Sequence, residues 1–243
     1  MSVFIEEFGA SLSESGLTLV THLAGPDEGR LADVCATVHA SAVVSLSPLD
    51  QDTVQAFRES GTRVVLALEK DEPRLDALIG RLQAEHLVRQ GHRRLGYGLP
   101  TQEAVLTMAE HRVQAVASVC AENGLDSPVV LPTELSGEGA ARAVLEWTQR
   151  SVTAVCAYND EVAFAVLAGL RVHGLSAPED VAVVGVDDVP VAAVAAPSLT
   201  TVAFDLKGAG HQLASAVATG LAEGDPRVGQ SAARPRLVRR QSA

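Results

Sequence analysis

The chain has 243 residues, 47% hydrophobic and 20% charged, with 19 Lys and Arg against 30 Asp and Glu and a formal net charge of −11. That size and composition suit a globular protein of two lobes whose core needs no disulfides. The acid excess excludes a chain whose own surface wraps a nucleic-acid backbone, because phosphate binding needs a basic face.

In chain order, Phe4, Phe8 and Leu12 at helical spacing predict an opening helix over residues 4–15. Short β-branched runs then predict strands at Leu17–His22, Ala42–Leu46, Arg63–Leu68, Arg94–Gly98, Pro128–Leu131, Thr153–Tyr158, Val181–Val186, Thr200–Ala203 and Arg236–Arg240. Helical periods fall between most of them, near residues 28–38, 50–60, 74–90, 102–123, 136–149, 160–173 and 205–222. Asp160 and Asp205 are predicted helix caps, and Gly174, Gly224 and Pro226 are predicted stops. Strand–helix alternation predicts parallel sheets with helices on both faces, and so many elements predict two α/β lobes.

The first fifteen residues hold Glu6, Glu7 and Glu14 but no Lys or Arg, unlike the basic start of a secretory signal. Cys35, Cys120 and Cys156 are odd in number, far apart and each within an apolar run, so they read as buried thiols in a reducing compartment. The apolar runs are too short to span a bilayer. The expectation is a cytoplasmic protein without a membrane partner.

Ligands of open α/β sheets bind beyond the carboxyl ends of strands, so polar residues directly after strands are the candidates. Asn159-Asp160 follows one predicted strand, Asp187-Asp188 another, and Ser47 a third. Arg112 falls on the apolar stripe of Val105, Met108, Val116 and Val119. A guanidinium there needs a carboxylate, a carbonyl, a ligand or a route to water, so a structural salt bridge and a ligand anchor both fit. Asn159 and Asp187 likewise suit turns and caps as well as ligand contacts. Together an Arg fork, an Asp acceptor and an Asn that both donates and accepts could hold a polyol or another polar molecule.

Motifs for catalysis and cofactors fail. Gly96-Tyr97-Gly98 runs into Leu-Pro-Thr, and Gly137-Glu138-Gly139 reads as a helix start. No nucleophile elbow, phosphate loop or metal-ligand spacing occurs. As neighbours on a strand, Asp187 and Asp188 would point to opposite faces and not form a dyad. No catalytic residue, metal or cofactor is expected. Gly91–Arg94 and Arg234, Arg236, Arg239 and Arg240 read as solvated turn or edge-strand faces.

Three segments carry a family resemblance. Residues 84–98, with Gly91-His92-Arg93-Arg94, and residues 154–170, with Asn159-Asp160, resemble LacI/GalR-type transcriptional regulators. Residues 174–205 are the most specific match, with Gly185-Val186-Asp187-Asp188, Pro197-Ser198-Leu199-Thr200-Thr201-Val202 and Asp205. The resemblance implies a type I periplasmic-binding-protein-like α/β fold of two doubly wound parallel-sheet lobes joined by a multi-strand hinge. The lobes would be 1–72 with 204–224 and 73–203 with 225–243, with crossings near 72–75, 203–205 and 224–234. It implies a module that binds a small effector (a sugar, nucleoside or similar polar metabolite) and forms a homodimer.

The family's effector positions carry over to Arg112, Asn159 and Asp187. Glu134 stands where an aromatic is typical, Phe204 where Gln is frequent, and Phe4 and Ser47 would supply groups from the other lobe. Family members begin with a helix-turn-helix head, absent from this sequence, so DNA would be reached only through such a domain. The family's first strand would run into Ser2-Val3-Phe4. The rival readings are a solute-binding protein of a sugar transporter, an α/β enzyme and a ligand-free protein-binding module.

Overall fold

The computed structural model describes residues 2–22, 29–45, 49–67, 74–224 and 235–243, so Ser47 and Arg234 lie outside the described residues. In chain order the elements are α1 (Ser2–Glu14), α2 (Gly29–Val38), β1 (Ala42–Ser45), α3 (Gln51–Glu59), β2 (Val64–Ala67), α4 (Arg74–Arg89) and β3 (Leu95–Leu99). A short helical turn (Glu103–Val105) leads into α5 (Leu106–Glu122), followed by β4 (Val129–Pro132), α6 (Gly137–Gln149), β5 (Ala154–Ala157) and α7 (Asp160–Val172). Then come β6 (Ala182–Val186), α8 (Pro190–Val194), β7 (Thr200–Ala203), α9 (Leu206–Glu223) and β8 (Arg236–Val238). The chain divides into two compact units, Met1–Glu72 with Asp205–Arg234 and Pro73–Phe204 with Pro235–Ala243. The crossing expected near 224–234 falls almost wholly on residues outside the description.

In the first unit β1 and β2 pair in parallel from Ala42↔Val64 to Ser45↔Ala67. Phe8 and Leu12 of α1 bury against Ala214 and Val217 of α9, with Leu17, Leu19, Ala42, Val44 and Leu66 packed around them. The expected strand at Leu17–His22 does not form. Its alternation is satisfied by packing, since Leu17 and Leu19 join the core while Val20 is 62% exposed. A strand also needs a hydrogen-bonded neighbour, and among the described residues this segment has none.

The second unit is a six-stranded sheet in the order β4-β3-β5-β6-β7-β8. Its pairings are parallel except for β8, which runs antiparallel to β7 from Thr201↔Val238 to Ala203↔Arg236. Every residue of β5, β6 and β7 is buried, which explains the unbroken apolar sequence of β5 and β6; in β7 the buried Thr200 and Thr201 hydroxyls donate to the Ala243 carbonyl and to Asp160. Strand alternation splits β3 between two layers. Gly96 and Gly98 lie against Trp147 of α6 and Val162 of α7, and a Cβ at either would crowd those side chains. Tyr97 points to the opposite face, where α4 and α5 pack. Trp147 is buried and donates its indole N–H to the Val129 carbonyl at 2.9 Å.

Three further expectations need correction. Asp160 does not cap α7; Asn159 does, accepting the Val162 N–H at 2.9 Å. Cys120 and Cys156 are buried thiols, but Cys35 on α2 is only half-buried. The Asp187-Asp188 pair is not on a strand: β6 ends at Val186, and both aspartates adopt positive φ, 109° and 51°. The helix α8 was not expected; Pro190 opens it with a φ already suited to a first turn.

Candidate functional site

The carboxyl ends of β5 and β6 lie side by side, because Cys156 pairs with Val184. The chain beyond them carries Asn159 and Asp187, each half-buried. Arg112 reaches this edge from α5. Its Nε donates to Asp76 Oδ1 at 2.7 Å and its Nη1 to the Tyr158 carbonyl at 2.7 Å. The guanidinium also lies over the Tyr158 ring, 4.6 Å from its centroid, a favourable placement for a cation on a π face.

Helix packing sets this geometry. Asp76 is in the first turn of α4, and Gly80 lies one turn further on. A Cβ on Gly80 would collide with the Arg112 carbonyl, so glycine there lets α4 lie close against α5. That approach brings Asp76 to Arg112, and the pair is nearly buried, with side chains 10% and 16% exposed for Arg112 and Asp76. On α4 the buried Gln83 amide donates to the carbonyls of Ala157, Val184 and Gly185, tying the helix to β5 and β6.

Burial pushes the Asp187 carboxyl up from the ordinary carboxylate range, while the Arg112 charge pulls it back down. Burial raises the Tyr158 phenol, opposed by the same guanidinium. The Asp160 carboxyl is pushed up to about 6, chiefly by burial, with hydrogen bonds from Thr201 and Val189 acting against it.

Arg112 and Asp187 are thus electrostatic neighbours, and Arg112 touches the residue before Asn159. The other expected positions stand differently. Glu134, just after β4, is exposed and paired with Arg142 at 3.0 Å. Phe204 is half-buried and packs on the small cluster of Ile79, Val186 and Val202. Phe4 lies in the first unit, its ring stacked on Phe8 at 5.9 Å between centroids. Arg240, expected on a solvated face, is half-buried and bonded to Asp188 at 2.6 Å.

The sequence reading missed Asp76 and Tyr158. A signal existed for the first, an acid in the first turn of a helix with a buried Arg in need of a partner, but the two are 36 residues apart. Chemically the set offers one fork of N–H donors, one acceptor carboxylate and one amide, all at a sheet edge. Among the described residues no three His, Cys, Asp or Glu side chains are grouped to hold a metal ion, and no helix is long and apolar enough to cross a membrane.

Residues 84–243 match the model of the Periplasmic binding protein-like domain. The chain is 34% identical over 167 residues to the HTH-type transcriptional regulator GalR of Escherichia coli K12, covering 66% of this chain and 48% of that protein. It is 30% identical over 220 residues to the HTH-type transcriptional regulator CelR of Thermobifida fusca, covering 85% of this chain and 65% of that one. The chain therefore spans between about half and two thirds of the length of these relatives. Among solved structures, a CelR–cellobiose complex superposes with a TM-score of 0.82 at 27% identity, covering 100% of this chain and 78% of that one. A LacI family regulator from Enterococcus faecium with bound ribose has the same fold, with a TM-score of 0.85 at 21% identity, covering 99% of this chain and 92% of that one.

Proposed function

This chain belongs to the periplasmic binding protein-like domain family, as found in LacI/GalR-type transcriptional regulators, and from that premise we propose that it is the effector-sensing module of such a regulator. Its effector is a polyhydroxylated small molecule, most simply a sugar. The observation that carries this reading is the grouping of Arg112, Asp187 and Asn159 at one sheet edge. Sugar hydroxyls pair with a carboxylate that accepts and a guanidinium that donates, and the Tyr158 ring beside them offers an apolar wall. Ligand-bound relatives support the class: cellobiose in one and ribose in another.

The module works in the cytoplasm, without chemistry of its own. Binding shifts the population of its conformations, and in a full-length protein a DNA-binding domain outside this sequence reads that shift. A second copy supplies the dimer. The exposed Val191 and Val194 of α8, 57% and 80% accessible, offer it an apolar contact.

Calorimetric titration with D-galactose, D-ribose, L-arabinose and cellobiose tests the sensor. At least one sugar should bind wild type, and Asp187→Ala should weaken it about 50-fold or more, the cost of leaving donors unpaired. Equal affinity in the variant, or no binding by any of the four, rejects the sugar reading. A Val194→Glu variant that elutes as a monomer would support the dimer contact, and an unchanged dimer would remove it.

A further inference from the structure

Asp187, at φ 109°, sits in a backbone conformation that a residue with a Cβ rarely adopts, and Asp188, at φ 51°, follows it in the left-handed region. Four contacts from three separate segments, namely β7, the start of α7 and the chain after β8, impose it here. The Asp187 N–H donates to the Val202 carbonyl at 2.9 Å. The Asp188 N–H points to the Thr201 hydroxyl at 3.4 Å. The Val189 N–H donates to Asp160 Oδ2 at 2.9 Å, while the Thr201 hydroxyl donates to Asp160 Oδ1 at 2.6 Å. Asp188 itself is bound by Arg240 Nη2 at 2.6 Å, and Arg240 Nη1 donates to the Leu199 carbonyl at 2.8 Å.

We propose that Asp160 and Arg240 are positioning residues that hold the 187–189 turn in its left-handed form and so keep the Asp187 carboxylate beside Arg112. Asp160 is the inner half of the clamp. It is 1% exposed, and both its oxygens are engaged, one by the turn and one by β7. The sheet is cut to fit it, since a Cβ on Gly185 would collide with Asp160 Oδ1. Arg240 is the outer half, reaching in from the chain after β8 to neutralise Asp188 while tied to the carbonyl of Leu199. Capping of α7 is left to Asn159, so the Asp160 carboxylate is free for this second task. The biological value of the clamp rests on Asp187 being the hydroxyl acceptor proposed above; the clamp itself does not.

The experiment uses no sugar, so its result is separate from that of the sugar panel. Hydrogen–deuterium exchange followed by mass spectrometry at pH 7.5 compares wild type with Asp160→Asn and Arg240→Met. The isosteric amide cannot accept from Thr201 and Val189 together without turning its NH2 against one of them. Peptides covering residues 186–190 should exchange about tenfold faster in each variant, while peptides from β3 and α6 stay within about twofold of wild type. Unchanged protection of 186–190 in Arg240→Met overturns the clamp. So does acceleration spread evenly over the second unit, which would make both residues general supports of the fold. If Asp160→Asn does not fold, Arg240→Met, whose lost contacts lie nearer the surface, decides alone.

Discussion

The two sheets are built to different standards. In the second unit β5, β6 and β7 are buried at every position; β5 and β6 share one continuous core with α4 to α7, and Val202 of β7 joins a smaller cluster with Ile79 and Val186. In the first, no residue of β1 is fully buried, and among the described residues the clustered core is Phe8, Leu12, Ala214 and Val217 with partly covered neighbours, while Phe57 of α3 and Val64 of β2 are buried apart from it. Parallel strands gain stability from being covered on both faces and flanked on both edges. The second unit meets that condition and the first, among the described residues, meets it only in part. The functional candidates Arg112, Asn159 and Asp187 all stand on the better-built unit, where a strained turn and a buried ion pair can be maintained.

The sharpest way to break this contrast is to remove the centre of the stronger core. Trp147→Ala should cost about 4 kcal/mol in denaturant unfolding, from lost packing and the lost bond to Val129. If unfolding loses only about 1 kcal/mol, the second unit is not the more tightly packed. Next is Asp76→Ala, which strands the Arg112 guanidinium and should cost about 3 kcal/mol. The double variant Asp76→Ala/Arg112→Met should recover part of that loss; strict additivity would show that the ion pair is unimportant.

The Asp160 carboxyl is raised to about 6 in the folded chain, against about 4 when unfolded. The native state therefore holds this proton longer than the unfolded one. The resulting stabilisation is complete below about pH 4 and is lost as pH rises through about 6. Asp187 and Asp188, the latter paired with Arg240, are the charges facing it. Measured against Asp160→Asn across pH 4 to 7, wild type should lose on the order of 2 kcal/mol of relative stability. A flat difference would mean that Asp160 ionises normally. Gly80→Ala should cost about 2 kcal/mol by wedging α4 from α5. The smallest effect is expected in the first unit, where Val44→Ala on a half-covered strand should cost about 1 kcal/mol in chemical denaturation. A loss there as large as that of Trp147→Ala would reverse the ranking of the two units.

Much of the second unit could be read from local sequence. Val181–Val184 announced a doubly covered strand, and the polar residues after β5 and β6 announced the edge where candidates gather. What stayed hidden depends on distant partners. Arg112 asked for a partner, but nothing local named Asp76. Asp160 was indistinguishable from a helix cap, because the residue that takes that task, Asn159, is its immediate neighbour, and the groups it binds lie 29 and 41 residues away. Arg240 looked like one more solvated charge until the tail folded beside β7. Leu17–His22 had the alternation of a strand, but pairing is a property of two segments, and the pattern of one cannot supply the other.

Gln83 gives the second unit a mechanical character. Its amide reaches the carbonyls of three residues on two adjacent strands, about two turns from Asp76 along the same helix. A rod pinned partway along its length pivots and does not slide. A ligand that tugs on Arg112, and through it on Asp76, would load that pin as a lever loads its fulcrum, passing torque into the two strands that carry Asn159 and Asp187.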